Sequence, residues 1–297
     1  MTSFAKMFGS IKVRGSIRNY SFVQSFLLVG PLVILLLGFY LYPLIALFPE
    51  SFIKDGQFTW EHYRHFFGHP LYSLTLLRTI RVAVIVTLIC FFAGYPVAYA
   101  LAELKNQKVC NILMICVLLP FFTSILVRSY AWIVLFQTKG IINNFLLSIG
   151  LIEKPLTLLH NEFAVLVGMI HILLPFMILP VFSVLKNIDQ NLAKAARNLG
   201  ASAMKAFFKV TFPLSLPGVG AGIIFVFILS LGFYITPALL GGAKTLMIST
   251  LIDQQINVLI KWQFAGAIAV VLLVTTVLII ALADRAVGID KVYKEYS

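Results

Sequence analysis

Residues 191–218 read NLAKAARNLGASAMKAFFKVTFPLSLPG, the long charged segment of a chain otherwise built of almost uninterrupted apolar runs. Leu192, Ala195, Ala196 and Leu199 recur at i, i+3, i+4 and i+7, the spacing of one helix face, so a short helix with an apolar stripe is predicted. Asn191, Lys194, Arg197 and Asn198 fall on the opposite face. Gly200 follows, where a left-handed helix stop favours a residue without Cβ. Ser202 is placed to cap a second helix carrying Ala203, Phe207 and Val210 on its apolar side. Pro213 has no N–H to donate and is expected to end that helix. Two short helices at an angle make a rigid knob. The same periodicity also suits a basic amphipathic loop lying on lipid headgroups.

Composition decides what surrounds the knob. Hydrophobic residues make up 60% of the 297, charged residues only 11%, and the mean hydropathy is +0.98. A soluble domain does not look like this, whereas five to seven membrane spans with short loops do. The net charge of +12 would point to nucleic acid in a soluble protein; here the basic residues first serve as topology signals. Cys90, Cys110 and Cys116 lie in or beside apolar runs without C-x-x-C spacing, so neither a disulfide framework nor a metal site is expected. His62, His65 and His69 crowd one loop, but no carboxylate or cysteine pattern joins them.

Six apolar runs are read as spans, at about 25–48, 82–102, 109–136, 163–185, 217–240 and 264–283. They make an all-α integral membrane domain over 25–285, between a basic segment 1–24 and a tail 286–297. The basic start before an apolar run has the order of a signal peptide. The run is too long, however, and no small-x-small site follows, so it is kept as the first span. Residues 141–151, apolar at helical spacing, are expected at the membrane interface, and 241–263 as a loop. With the N-terminus inside, segments 1–21, 103–108, 186–216 and 284–297 carry 4, 2, 5 and 3 Lys and Arg. The outside loops 49–77, 137–161 and 241–263 carry 2 each. This bias places both termini and the 186–216 loop in the cytoplasm. The high pI then reflects topology and contact with anionic membrane lipid, with no nucleic acid implied.

In this setting the knob resembles the signature loop of bacterial ABC importer permeases, E-A-A-x-x-x-G-x(9)-I-x-L-P. Ala195, Ala196 and Gly200 stand in register, and Phe212, Pro213, Leu214, Pro217 and Gly218 are similar to its L-P-L-x-x-P-G continuation. RSYAWIVLF (128–136), LLPFMILP (173–180) and FYITPALLGG (233–242) resemble the polyamine-type permeases that pair as two unlike subunits. One departure is plain: Lys194 stands where the pattern has Glu. The resemblance implies a type I importer architecture in the bacterial inner membrane, with a coupling loop between spans four and five. It implies as partners a second, unlike permease, two copies of a cytoplasmic ABC ATPase and a periplasmic substrate-binding protein. No G-x-x-x-x-G-K-[ST] occurs, so ATP hydrolysis is expected on the separate ATPase, with no catalytic residue, metal or cofactor here. The ATPase-coupling residues carried over are Lys194, Ala195, Ala196, Arg197, Gly200, Ala201, Phe207, Pro213, Pro217 and Gly218. Among them Phe207 is expected to anchor the knob to the permease.

For the translocation path, Arg128 is the strong charge inside a span, either snorkelling outward or facing a cavity with Tyr130 and Trp132. Phe233, Tyr234 and Pro237 offer an aromatic kink in span five. His171, alone among Val, Leu and Ile, reads as a hydrogen-bonded packing residue. No Asp or Glu lies in the span cores, the nearest being Glu162, Asp253 and Asp284. A polyamine substrate, expected from the resemblance, would then need acids from the partner permease. The alternatives are an amino-acid conjugate, an opine-like or an anionic solute met by Arg128. An ion-coupled secondary transporter is the rival of a different class, and would be expected to carry intramembrane acids.

Overall fold

The structure is a computed structural model that describes residues 22–54 and 56–287, and the chain divides into two units, Met1–Glu50 and Ser51–Ser297. Most of the basic N-terminal segment and the end of the tail therefore lie outside the described residues. The first unit is a run of helix, α1 (Phe22–Leu36), a π turn at Leu37–Leu41 and α2 (Tyr42–Glu50), without charge from residue 22 to 49.

The second unit opens with a two-residue hairpin, β1 (Ile53–Lys54) and β2 (Gln57–Phe58), and α3 (Glu61–Gly68). Phe52 stacks on Phe58 at 5.5 Å and meets Trp60 and Tyr63, and Lys54 bonds Glu61 at 2.5 Å. The three loop histidines belong to this aromatic packing. His65 lies 4.4 Å from the His69 ring and 5.0 Å from Phe264. Burial, with His69 and Lys261 nearby, holds His65 below the ordinary histidine range.

The helices that follow are α4 (Pro70–Glu103), α5 (Gln107–Leu118), α6 (Ile125–Phe136), α7 (Ile141–Ser148) and α8 (Glu162–Asn187). After them come α9 (Gln190–Asn198), α10 (Ala203–Ala206), α11 (Phe212–Leu231), α12 (Ile235–Leu240), α13 (Ile248–Asp253) and α14 (Trp262–Val287). Among the described residues, Pro70–Glu103, Ile125–Ser148, Glu162–Asn187, Ala203–Leu231 and Trp262–Ala283 are long and apolar enough to cross a membrane. Val29–Phe39 and Gln107–Phe122 are shorter apolar helices. The fold is all-α and fits six spans.

Four sequence expectations need correcting. The apolar run 82–102 is the second part of α4, which starts at Pro70, where a missing N–H costs a helix nothing. Arg78 and Arg81 are therefore helical, and Arg81 is paired with Glu162 at the start of α8. The run 109–136 is interrupted: Pro120 sits in a 3-10 turn, Leu119–Phe122, and the backbone is extended at Thr123 before α6 begins. Pro213 does not end a helix. A π turn at Phe207–Thr211, closed by the Phe212 N–H on the Phe207 carbonyl, precedes the proline and carries the helix from Ala203 to Leu231 without a stop. Finally, the run 217–240 breaks at Gly232–Tyr234, and the expected loop 241–263 holds buried short helices. There the Ile248 N–H bonds Thr79 Oγ1 of α4 at 2.9 Å.

The packed centre is α4, α8 and α11, with Val86, Cys90, Met169, Leu173, Met177, Val181 and Val226 buried in one cluster. Lipid is as apolar as these side chains, so their burial is rewarded by close fit and interhelical hydrogen bonds more than by water release. Gly218 and Gly222 on α11 supply the fit. A Cβ at 218 would lie 2.8 Å from the Pro180 carbonyl, and one at 222 would lie 2.7 Å from Met177 Sδ. Tyr95 of α4 and Ser215 of α11 supply a buried hydrogen bond at 2.9 Å.

Candidate coupling element and translocation path

The knob is two helices joined by a specific turn. Asp189 caps α9, accepting from the Asn191 N–H at 2.9 Å. At its far end the Gly200 N–H bonds the Arg197 carbonyl and the Ala201 N–H bonds the Ala196 carbonyl. These are the two bonds of a Schellman stop, and Gly200 has the φ of +88° that it requires. Ser202 Oγ then accepts from the Lys205 N–H at 3.3 Å and starts α10. Gly200 thus fixes the angle between two helices; a Cβ there meets nothing within 4 Å.

The apolar stripe of α9 is largely exposed. Leu192, Ala195 and Leu199 are exposed, Leu199 at 89%, and Met204 and Phe208 continue the exposed apolar surface. Ala193, Lys194 and Arg197 instead line a cleft of about 190 Å³ behind the helix. Tyr99, Glu103, Leu185 and Asp189 line it too. The periodicity was readable, but an apolar stripe does not say whether a core or a partner covers it. The charge departure at Lys194 has a local counterpart, because that lysine shares its cleft with two carboxylates of its own chain.

The other coupling residues fall in three places. Ala195, Ala196, Gly200 and Ala201 gather at the tip. Phe207 lies against the permease helices, its ring 5.3 Å from Tyr99 and 6.0 Å from Tyr95, both on α4. Phe212 joins them at 5.6 Å from Tyr95. Pro213, Pro217 and Gly218 are not at the tip: they sit along α11, with Gly218 buried against α8. Asp189 was missed by sequence reading, although Asp two residues before Asn191 is an ordinary N-cap signal.

The proposed path residues converge only in part. Trp132 Nε1 donates to His171 Nδ1 at 3.1 Å, joining α6 to α8, and the Trp132 ring stacks on Phe136 at 5.0 Å. Arg128 sits one turn before Trp132 on α6. Its Nε is buried and, among the described residues, has no hydrogen-bond partner. Tyr130 points away and is exposed. Phe233 and Tyr234 sit in the break after α11, where Ser249 Oγ donates to the Phe233 carbonyl at 2.6 Å and Asp253 faces the Tyr234 hydroxyl. Pro237 is buried in α12 beside Thr236, which bonds Ser129 of α6 at 3.1 Å. A mostly apolar cavity of about 560 Å³ opens between α4, α5 and α8, with Pro120 and His171 in its wall.

Residues 94–289 match the family described as binding-protein-dependent transport system inner membrane component. The chain is 35% identical over 258 residues to the spermidine/putrescine transport system permease protein PotB of Haemophilus influenzae, covering 84% of this chain and 90% of that protein. It is 37% identical over 236 residues to PotB of Escherichia coli, covering 80% and 85%. In fold it is similar to a chain in the crystal structure of a bacterial ABC transporter involved in the import of the acidic polysaccharide alginate. That likeness has a TM-score of 0.73 at 19% identity, over 88% of this chain and 94% of that one.

Proposed function

This chain belongs to the family of binding-protein-dependent transport system inner membrane components, and from that premise we propose that it is half of a polyamine-importing pore. The observation that supports the substrate class is its identity to two spermidine/putrescine permeases over four fifths or more of its length. Spermidine or putrescine is handed over by a periplasmic binding protein, and ATP is hydrolysed by a separate cytoplasmic ATPase. A second, unlike permease completes the cavity. Both termini and the knob face the cytoplasm, and the chain carries no catalytic residue, metal or cofactor of its own.

The knob is the coupling element. Its exposed apolar tip, Leu192, Ala195 and Leu199, is what a cleft in the ATPase would cover, and small residues allow close approach. The Schellman turn makes the two helices one body, and Phe207 fixes that body to α4. Motion of the ATPase pair is thereby passed to the spans as alternating access. Arg128 is the observation that favours a second reading, import of an anionic or amino-acid-conjugate solute.

The complete complex, reconstituted in proteoliposomes with its binding protein, tests both readings. Spermidine uptake that requires ATP is expected, and uptake of an anion with none of spermidine would replace the substrate class. Gly200→Ala strains φ only, by about 1 kcal/mol, and should keep most uptake. Gly200→Trp adds bulk at the tip and should abolish transport and ATPase stimulation while the protein remains inserted. Normal coupling in Gly200→Trp would sink the docking assignment.

A further inference from the structure

Arg128 lies in the first turn of α6, just after the break at Thr123 and inside the apolar run 109–136. Its Nε is buried without a partner among the described residues, and one turn further along α6 Trp132 is already bonded to His171 of α8. Neither ion pair among the described residues involves Arg128, and five acids of this chain have other surroundings. Glu162 pairs with Arg81, Glu61 with Lys54, and Asp253 holds Asn257 at 2.6 Å and faces Tyr234. Asp189 and Glu103 line the cleft behind the knob. A guanidinium at this depth strongly favours a counter-charge, and lipid tails supply none.

We propose that Arg128 is an interface residue whose guanidinium is completed by a carboxylate of the second permease subunit, at the depth of the Trp132–His171 pair. The proposal rests on the polyamine reading in one respect, the choice of partner over substrate. A cationic solute is repelled by an unneutralised arginine on its path, so the anion must be fixed in the protein. Charge complementarity then selects the occupant of this face: the exposed apolar residues around Arg128, such as Leu126, Val127 and Tyr130, would suit lipid or protein, but Arg128 suits only a partner with an acid. His171 contributes direction. With Nδ1 accepting from Trp132, a neutral ring carries its proton on Nε2 and helps to hold the tryptophan beside the guanidinium.

The test uses the co-produced complex, with each intramembrane Asp or Glu of the second permease exchanged in turn for Arg. Arg128→Glu should lower spermidine uptake by about thirtyfold or more, the loss expected when one charge of a buried pair is stranded. One of the partner's acid-to-Arg exchanges should restore it. Copurification of the two permeases, and disulfide cross-linking of Arg128→Cys to a cysteine at that partner position, read the same contact without any substrate. A complex that never carries spermidine, yet cross-links and copurifies as expected, fails the substrate reading and keeps the pairing. Arg128→Gln with full uptake and copurification overturns the proposal. So does an Arg128→Glu defect that no partner exchange repairs, with no cross-link found at any partner acid. Arg128→Lys, which keeps the charge, should retain more function than Arg128→Gln and guards against a defect of folding alone.

Discussion

Lys194 shows how a residue departs from a pattern and keeps a physical role. Its side chain turns to a cleft that Glu103 and Asp189 also line, on the inner side of α9. A lysine there is attracted to its own chain, whereas a glutamate would add a third acid. Lys194→Glu is therefore expected to loosen α9 from the permease, leaving the exposed Leu199 surface chemically unchanged. Exposed charges interact by at most about 1 kcal/mol, so the effect on overall stability should be small. The effect on coupling should be larger: ATP hydrolysis persists while uptake falls several-fold. Measuring both rates in the reconstituted complex checks this, and equal rates per transported solute in mutant and wild type would count against it. Lys194 also marks how far sequence reading goes. The register of Ala195, Ala196 and Gly200 was legible because helix periodicity and the glycine stop are local. The direction of Lys194 was not, because it depends on Glu103, some 90 positions away in the chain.

At the scale of elements, the interruptions carry the information. A helix end was expected at Pro213, whereas the interruption falls at Pro120, with a 3-10 turn and an extended residue after it. At Pro213 the same residue type leaves the helix whole, since the π turn before it shifts the hydrogen-bond pattern. Composition cannot separate these outcomes. Just ahead of the second proline, Phe207 and Phe212 pack on Tyr95 of α4. The buried helices between 241 and 263 were hidden because what holds them is distant in sequence, as in the Ile248 N–H bonded to Thr79 Oγ1 of α4. The α8–α11 contact gives a direct test. Gly222→Val pushes a branched side chain against Met177, an overpacking worth about 1–3 kcal/mol. The melting temperature in detergent should fall, and Met177→Ala in the same chain should recover part of it. A Gly222→Val protein as stable as the wild type would mean the helices separate easily.

Over the whole molecule, the run from Ala203 to Leu231 is 29 residues of unbroken helix, about 43 Å. It joins the knob at one end to the Gly232–Tyr234 break at the other, and it crosses α8 between them at Gly218 and Gly222. A rod held at an inner point is a seesaw. The arm on the knob side, 15 residues from Ala203 to Gly218, is about 23 Å; the arm beyond Gly222 is about 14 Å. Spin labels at Met204 and Leu229, each paired with a reference on α8, should therefore report distance changes of opposite sign when ATP is added to the complex. Equal signs would mean that the helix translates or bends instead. On this geometry a single pivot makes opening on one side of the membrane and closing on the other the same movement. The larger swing falls on the knob side, and the finer adjustment is left to the side where solute enters.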